Sequence, residues 1–244
     1  MTMTREQVLH EMGLGPVWKL RAAPAVAKVE DVAAPATAPA ELLQEAVPAV
    51  AAVAPHGAMA WGELAAAVAA CRQCRLCEAR KQAVLGVGDT NAGWLFVGEG
   101  PGAEEDQRGE PFVGQAGKLL DNMLAAIGLK RGTDVYIANA VKCRPPENRT
   151  PAPEEAAACR PYLERQIELI RPKLIVALGR PAAQTLLQTE IKIASARGKL
   201  HDYHGIPLIV TYHPAYLLRT LLDKAKAWED LCFMRRTMKA QKGS

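Results

Sequence analysis

The cysteines have the most distinctive spacing in this sequence, and four of the six form two pairs on separate segments. The pairs have C-x2-C and C-x15-C spacing: Cys71 with Cys74, and Cys143 with Cys159. Four thiolates from two segments can bind a tetrahedral metal ion or an iron–sulfur cluster, and spacing alone does not separate zinc from iron. Cys77 extends the first pair, but no C-x3-C-P follows as in ferredoxins, so we interpret Cys77 as a neighbour of the site and Cys232 as a core thiol.

A glycine-rich segment carries a carboxylate in its middle: Gly98-Glu99-Gly100-Pro101-Gly102. Glycines let the backbone approach a ligand closely and accept positive φ angles. The segment is not a dinucleotide fingerprint, because its proline and the acidic run at 104–106 would oppose a pyrophosphate. It predicts either a ligand-binding loop or an ordinary tight turn.

Two ring-bearing side chains also lie where core packing does not obviously require them. Phe112 stands among glycines and prolines, where an aromatic ring can stack on a nucleobase or simply pack against the protein. His213 follows an apolar run and precedes Pro214, which disfavours helical geometry at the histidine. Such a histidine is either structural or catalytic.

An α/β domain is predicted around these residues. Four apolar, β-branched runs predict strands: Trp94–Val97, Val135–Val141, Leu174–Leu178 and Pro207–Thr211. Three helical patterns lie between them: Ala116–Ile127, Pro153–Ile170 and Pro181–Leu187. The alternation predicts a three-layer α/β/α fold with a central four-stranded parallel sheet. Because ligands bind beyond the carboxyl ends of such strands, we expect the glycine-rich segment, Asn139 and His213 at one rim.

The first 60 residues differ in composition from the rest of the chain. Residues 1–21 carry apolar anchors such as Leu14 and Trp18, whereas residues 22–60 are rich in alanine and proline. Repeated proline blocks a continuous helix and alanine buries little surface, so we predict a disordered linker before a domain at 61–244.

Composition and charge narrow the function classes. No run approaches the roughly 20 apolar residues of a membrane helix, and the N-terminus does not have the pattern of a secretory signal. We therefore expect a cytoplasmic protein with reduced thiols. Residues 61–244 hold 26 of the 30 basic but only 20 of the 26 acidic side chains. This surplus suits a polyanionic partner, although an ordinary basic surface would look the same.

Together, the motifs from Cys71 to the C-terminus resemble the family 4 uracil-DNA glycosylases. The shared segments are CRQCRLCEAR, FVGEGPGAEEDQRGEPFVGQAGKLLDNML, YIANAVKCRPPENRTPAPEEAAAC, IRPKLIVALGRPAA and HPAYLLR. The resemblance implies an enzyme that hydrolyses the N-glycosidic bond of uracil in single- or double-stranded DNA, the first step of base excision repair. It also implies a 4Fe–4S cluster held by the two cysteine pairs. No lysine is evident as a Schiff-base nucleophile, so we expect a monofunctional glycosylase without strand cleavage. We also expect a monomer.

The resemblance also implies roles for the pocket residues. Such an enzyme extrudes uracil from the duplex, and Phe112 would stack on the extruded base. Asn139 would read its O4/N3 edge and reject cytosine, whose hydrogen-bonding groups are reversed. Glu105 would exclude the methyl group of thymine, and the backbone of Gly98 and Gly100 would face O2.

Two further residues would carry the chemistry. His213 would hydrogen-bond O2 and stabilise the uracil anion as it leaves. Glu99 would hold or deprotonate the attacking water and offset the positive charge of the sugar. Related glycosylases place an aspartate one position later in this motif, where the present chain has Gly100.

Two alternative interpretations concern other classes of protein. Relatives that crosslink covalently to uracil sites carry GEQPG in the first motif and a histidine in the loop between the cluster cysteines. This chain has Gly100 instead of the glutamine and no histidine between residues 144 and 158. The second alternative is a non-catalytic replication protein, which the presence of the active-site residues disfavours.

The second alternative comes from the N-terminus, where LHEMGLGPVWKLRAAP resembles the start of the psi subunit of the bacterial DNA polymerase III clamp loader. That resemblance implies binding of the chi subunit by residues 5–21, with Trp18 as the anchor, in a bacterial cytoplasm. The competing interpretation is that this segment docks on the enzyme's own surface.

Overall fold

The computed structural model describes residues 59–242. The predicted N-terminal segment at 1–21 and nearly all of the predicted linker at 22–60 lie outside these residues. No helix within the described range is long and apolar enough to cross a membrane.

A mixed sheet of six strands forms the centre of the described domain. The strands are β1 (Val87–Gly88), β2 (Trp94–Gly98), β3 (Val135–Asn139), β4 (Leu174–Leu178), β5 (Leu200–Tyr203) and β6 (Ile206–Thr211). Their order across the sheet is β1-β3-β2-β4-β6-β5. The inner neighbours β3, β2, β4 and β6 pair in parallel, and the outer strands β1 and β5 pair antiparallel.

The expected four-stranded parallel sheet is therefore corrected to a mixed six-stranded sheet. The inner strands β2, β3 and β4 are buried at every position, which explains their continuous apolar runs. The two outer strands give no such signal. β1 is only two residues long, and β5 has the mostly exposed sequence LHDY, so neither produces an apolar run.

The helices and 3-10 turns of the described range follow in chain order. They are α1 (Trp61–Ala70), α2 (Leu76–Ala79), α3 (Ala103–Arg108), α4 (Gln115–Ala126), a 3-10 turn at Pro146–Asn148, α5 (Pro153–Ile170), α6 (Arg180–Leu187), α7 (Ile193–Ala196), α8 (Pro214–Arg219), a 3-10 turn at Leu221–Asp223 and α9 (Lys224–Lys242).

The side chains of β2 point alternately to the two faces of the sheet, and the hydrophobic core is divided in the same way. Trp94 and Phe96 pack in one cluster with residues of α4, α8 and α9. Leu95 and Val97 pack in another cluster with residues of α5 and α6. Because successive side chains of a strand point to opposite faces, these clusters make the domain a three-layer α/β/α arrangement.

A third apolar cluster connects the N-terminal helix to the cysteines. Leu64 and Val68 of α1 pack with Val141, Cys143 and Tyr162. Helix α1 is thereby held against the segment that follows β3 and against α5. This packing brings the cysteines of distant segments to the same side of the domain.

Candidate active site and cysteine cavity

A cleft of about 890 Å³ opens at the carboxyl ends of the inner strands. Six of the seven residues predicted to contact uracil or carry the chemistry line it: Glu99, Gly100, Glu105, Phe112, Asn139 and His213. The seventh, Gly98, is buried at the end of β2 beneath two of them. The structure therefore brings all seven predicted residues to one place.

Gly98 allows two of the cleft residues to approach each other. It is the register partner of Asn139 across β2 and β3. A Cβ atom at Gly98 would collide with Asn139 Oδ1 and would lie 2.6 Å from Cζ of Phe112. Any larger residue would therefore displace the amide or the ring, so the need for glycine here is steric.

The side-chain oxygen of Asn139 is buried without a hydrogen-bond partner in the described part of the chain. Only 2% of the residue is exposed. A buried, unpaired acceptor costs about 1–3 kcal/mol, and this one lines the cleft, where a donor from a bound ligand would pair with it. The backbone carbonyl of Asn139 accepts a hydrogen bond from Lys142 Nζ at 2.8 Å, which fixes the main chain at the end of β3.

Lys142 was not singled out from the sequence, yet it is one of the most buried polar residues of the domain. Its ammonium also donates to Gln166 Oε1, and Gln166 Nε2 donates to the carbonyl of Leu85. Burial lowers the pKa of Lys142 to about 8. No lysine of the described range lines the cleft.

Phe112 adopts a left-handed backbone conformation, with φ of 55°. Arg131 holds this turn, since its Nη1 and Nη2 donate to the carbonyls of Pro111 and Phe112 at 2.9 and 2.8 Å. Gly117 makes room for it, because a Cβ there would collide with the Phe112 carbonyl oxygen. A non-glycine residue at positive φ is strained, so these contacts fix the ring position at an energetic cost.

The carboxylate of Glu105 ties this loop together. Oε1 accepts hydrogen bonds from the amides of Val113 at 2.9 Å and Gly114 at 3.2 Å, and Oε2 accepts one from Gly102 at 3.1 Å. Glu105 also lines the cleft. It thus holds the loop that presents Phe112, a function that the sequence pattern did not predict.

His213 is the N-cap residue of helix α8, and its Nδ1 accepts a hydrogen bond from the amide of Ala215 at 3.1 Å. An accepting ring nitrogen carries no proton, so the neutral tautomer has its proton on Nε2. Burial, with a smaller contribution from Arg219, lowers the pKa of His213 to about 4, while Glu105 acts in the opposite direction. The ring is therefore neutral at pH 7 and has one donor, Nε2–H.

Two groups, Thr150 and Arg180, stabilise the charged form of Glu99. Burial raises the pKa of Glu99, whereas a hydrogen bond with Thr150 and the positive charge of Arg180 oppose the increase. Arg180 lies two residues after β4, at the rim formed by the carboxyl ends of the parallel strands, where His213 was also expected. Ligands bind beyond the carboxyl ends of parallel strands, so a search of the residues after every predicted strand would have found Arg180 from the sequence.

The four predicted metal ligands line one small cavity: Cys71, Cys74, Cys143 and Cys159. Cys77 lines it as well, whereas Cys232 belongs to α9 and does not. Arg80 Nη1 donates to Cys143 Sγ at 2.7 Å, and the amide of Lys142 donates to Cys159 Sγ at 3.2 Å. Within residues 59–242, no three Cys, His, Asp or Glu side chains form a group that could hold a single metal ion.

Comparisons with a family model and with known proteins indicate the same protein family. Residues 85–232 match the model of the uracil DNA glycosylase superfamily. The chain is 50% identical over 159 residues to a type-4 uracil-DNA glycosylase of Archaeoglobus fulgidus, covering 62% of this chain and 79% of that protein. It is 44% identical over 171 residues to that of Pyrobaculum aerophilum, covering 66% and 86%. It is 50% identical over 151 residues to that of Thermotoga maritima, covering 61% and 78%. The chain therefore belongs to the uracil-DNA glycosylase superfamily and, within it, to the type-4 enzymes.

Proposed function

We propose that this protein removes uracil from DNA by hydrolysing the bond between uracil N1 and the sugar C1′, in the cleft that contains Glu99, Asn139 and His213. The observation that carries the proposal is the buried, unpaired Oδ1 of Asn139 beside the ring of Phe112. An amide and an aromatic ring side by side suit a planar base with a hydrogen-bonding edge.

Asn139 selects the base through the direction of its hydrogen bonds. Its Oδ1 accepts from uracil N3–H, and its Nδ2 donates to O4. Cytosine has a lone pair at N3 and an amine at C4. Asn139 Oδ1 would then face another acceptor and Nδ2 another donor, so neither hydrogen bond could form. The Lys142 contact to the Asn139 carbonyl supports this role, because it holds the strand end that carries the amide.

His213 stabilises the leaving group. The tautomer fixed by the Ala215 amide leaves Nε2–H free to donate to uracil O2. Negative charge grows on O2 as the glycosidic bond breaks, so this bond strengthens in the transition state. A neutral ring is suited to the task because it is a donor already in place at pH 7, with no proton to acquire.

Glu99 provides the negative charge on the sugar side. We propose that its carboxylate, oriented by Thr150 and Arg180, holds the attacking water and offsets the oxocarbenium-like charge at C1′. The absence of lysine from the described lining of the cleft supports a monofunctional reaction without a Schiff base. Glu105 keeps its proposed place near uracil C5. Three backbone amides donate to its carboxylate and hold it rigidly there.

The cysteine cavity fits a 4Fe–4S cluster. Its thiols come from two segments far apart in sequence, and two of the sulfurs accept N–H hydrogen bonds, as cluster thiolates commonly do. When bound, the cluster would act as a structural crosslink between the segment at 71–74 and the segment after Asn139.

The test of the proposed function is release of uracil from labelled single- and double-stranded oligonucleotides by the purified protein. We expect a free base and an intact abasic strand. Failure to release uracil would overturn the proposal and favour a non-catalytic role. A covalent protein–DNA adduct would instead favour the crosslinking alternative.

The association of residues 5–21 with the chi subunit stays a proposal supported by the sequence alone, because these residues lie outside the described range. We expect a peptide of residues 1–24 to bind chi in calorimetry and Trp18→Ala to abolish the binding. Absence of heat at high micromolar concentration would favour docking on the enzyme's own surface. The monomeric state and the bacterial cytoplasm also stay predictions.

A further inference from the structure

Two tyrosines stand beside the catalytic histidine and have no role in the reaction described above. Tyr212 precedes His213 and lies immediately after β6, and Tyr216 follows His213 on the first turn of α8. Both line the cleft and both are only half-buried. Their rings are stacked, with centroids 5.0 Å apart and planes inclined by 19°.

Charged partners hold this pair rigidly. The Tyr216 hydroxyl donates to Asp223 Oδ2 at 2.6 Å. The guanidinium of Arg197 lies over the Tyr212 ring, 5.0 Å from its centroid. Arg197 is in turn held by two hydrogen bonds to the buried Asp230, at 2.8 and 2.9 Å. A ring that is already ordered loses little conformational entropy when a flat ligand stacks on it.

The surroundings of the pair indicate what such a ligand is. Arg219 lines the same part of the cleft and is exposed, so it is available to a phosphate. The cleft, at about 890 Å³, is near the upper end of the range for small-molecule sites and has room beyond one base. An aromatic surface next to an exposed arginine is the combination that binds single-stranded nucleic acid without reading its sequence.

We infer that Tyr216, supported by Tyr212 and Arg197, is a stacking platform for the base of a nucleotide adjacent to the uracil. This inference rests on the proposed function, because it requires DNA in the cleft. Extrusion of uracil breaks its stacking with both neighbours, so a platform beside the uracil pocket compensates one neighbour for the lost contact. The platform accepts any base, since every base has a flat face.

The experiment measures stacking separately from uracil removal. The probes are two single-stranded oligonucleotides that carry a stable tetrahydrofuran abasic analogue, with fluorescent 2-aminopurine immediately 5′ or immediately 3′ of it. Binding of the wild-type protein should change the fluorescence of one probe, because stacking on tyrosine quenches 2-aminopurine. Tyr216→Ala should abolish the change and weaken binding on the order of tenfold.

Three variants separate stacking from structural support. Tyr216→Phe keeps the ring and should retain the fluorescence change, with binding within about threefold of wild type. Tyr216→Leu keeps the bulk without the aromatic face and should behave as Tyr216→Ala does, which covers the case in which the alanine variant does not fold. Trp228→Ala removes an exposed aromatic outside the cleft and should match the wild type.

The outcomes distinguish this inference from the proposed function. Uracil release by the wild type, with no Tyr216-dependent change in either probe, would overturn the platform and leave the proposed function intact. Equal losses in Tyr216→Phe and Tyr216→Ala would also overturn it, because the hydroxyl contact with Asp223 would then be the only contribution. A Tyr216-dependent change without uracil release would support the platform and overturn the proposed activity.

Discussion

The imidazole of His213 stacks on the ring of Phe112, with centroids 5.4 Å apart and planes inclined by 29°. His213 lies two residues after β6, and Phe112 lies on the loop between α3 and α4. In the proposed function, His213 stabilises the uracil anion and Phe112 stacks on the base. Because the two rings are in contact, a substitution of one residue removes packing that holds the ring of the other in position.

We therefore predict that the two residues are energetically coupled. Phe112→Ala should slow single-turnover uracil release by about 1–3 kcal/mol, the usual value of a base-stacking platform. His213→Ala should reduce the rate more than it reduces DNA affinity, because its hydrogen bond strengthens in the transition state. The double variant should lose less than the sum of the single losses. Strict additivity would mean that the ring contact has no functional consequence.

The low pKa of His213 predicts a pH-dependent stability. The folded value is about 4, and the ordinary value is 6.5. The unfolded chain therefore binds the proton more readily, and stability is fully present above pH 6.5 and decreases as the pH falls from 6.5 to 4. The contribution lost at pH 5 is about 2 kcal/mol. Urea unfolding of wild type and His213→Gln at pH 7 and pH 5 measures it, and equal pH dependence in both proteins would contradict the prediction.

Asn139→Ala should separate activity from stability. The variant loses two oriented hydrogen bonds to uracil, so the single-turnover rate should fall by about 1–3 kcal/mol of transition-state stabilisation. It also removes a buried, unpaired oxygen, so the free energy of unfolding should fall much less. Asn91→Ala, on an exposed turn, is the matched control. A variant with reduced stability and unchanged uracil release would place base recognition elsewhere.

Glu99→Gln tests whether a carboxylate is needed on the sugar side. The amide keeps the size of the side chain but cannot offset positive charge at C1′, so single-turnover excision should slow by tenfold or more, about 1.4 kcal/mol. Glu104→Gln, on the exposed side of α3, should leave the rate unchanged. If Glu99→Gln keeps full activity, backbone groups alone hold the water and Glu99 is structural.

The cysteine cavity predicts bound iron. Protein purified without oxygen should contain about four irons per chain and show broad visible absorbance. Cys71→Ala should lose iron and destabilise the fold, because a cluster that links distant segments contributes its binding energy to folding. Cys77→Ala should keep both iron and stability. Zinc without iron in the purified protein would contradict the cluster assignment.

Sequence pattern alone was sufficient for the inner strands and for the rim where the site lies. The runs at Leu174–Leu178 and Trp94–Val97 are apolar because both faces of the sheet are covered, and this burial shows directly in composition. His213 follows the run that ends at Thr211. Asn139, the last residue of β3, lies inside the predicted run Val135–Val141, so the pattern extended that strand two residues too far. The four predicted cysteine ligands also stand out by spacing, and the structure places them around one cavity.

Tertiary structure decided which atoms of those residues are available. The Arg131 bonds to the Phe112 loop, the Lys142 bond to Asn139 and the Ala215 bond that selects the His213 tautomer leave no periodic signal. The edge strands escaped prediction for a related reason, since they pair through backbone bonds and bury little side-chain surface. Local sequence patterns reveal which positions are buried, because buried positions favour apolar residue types. They do not record hydrogen bonds between distant segments, because such bonds depend on register and approach that only the folded chain defines.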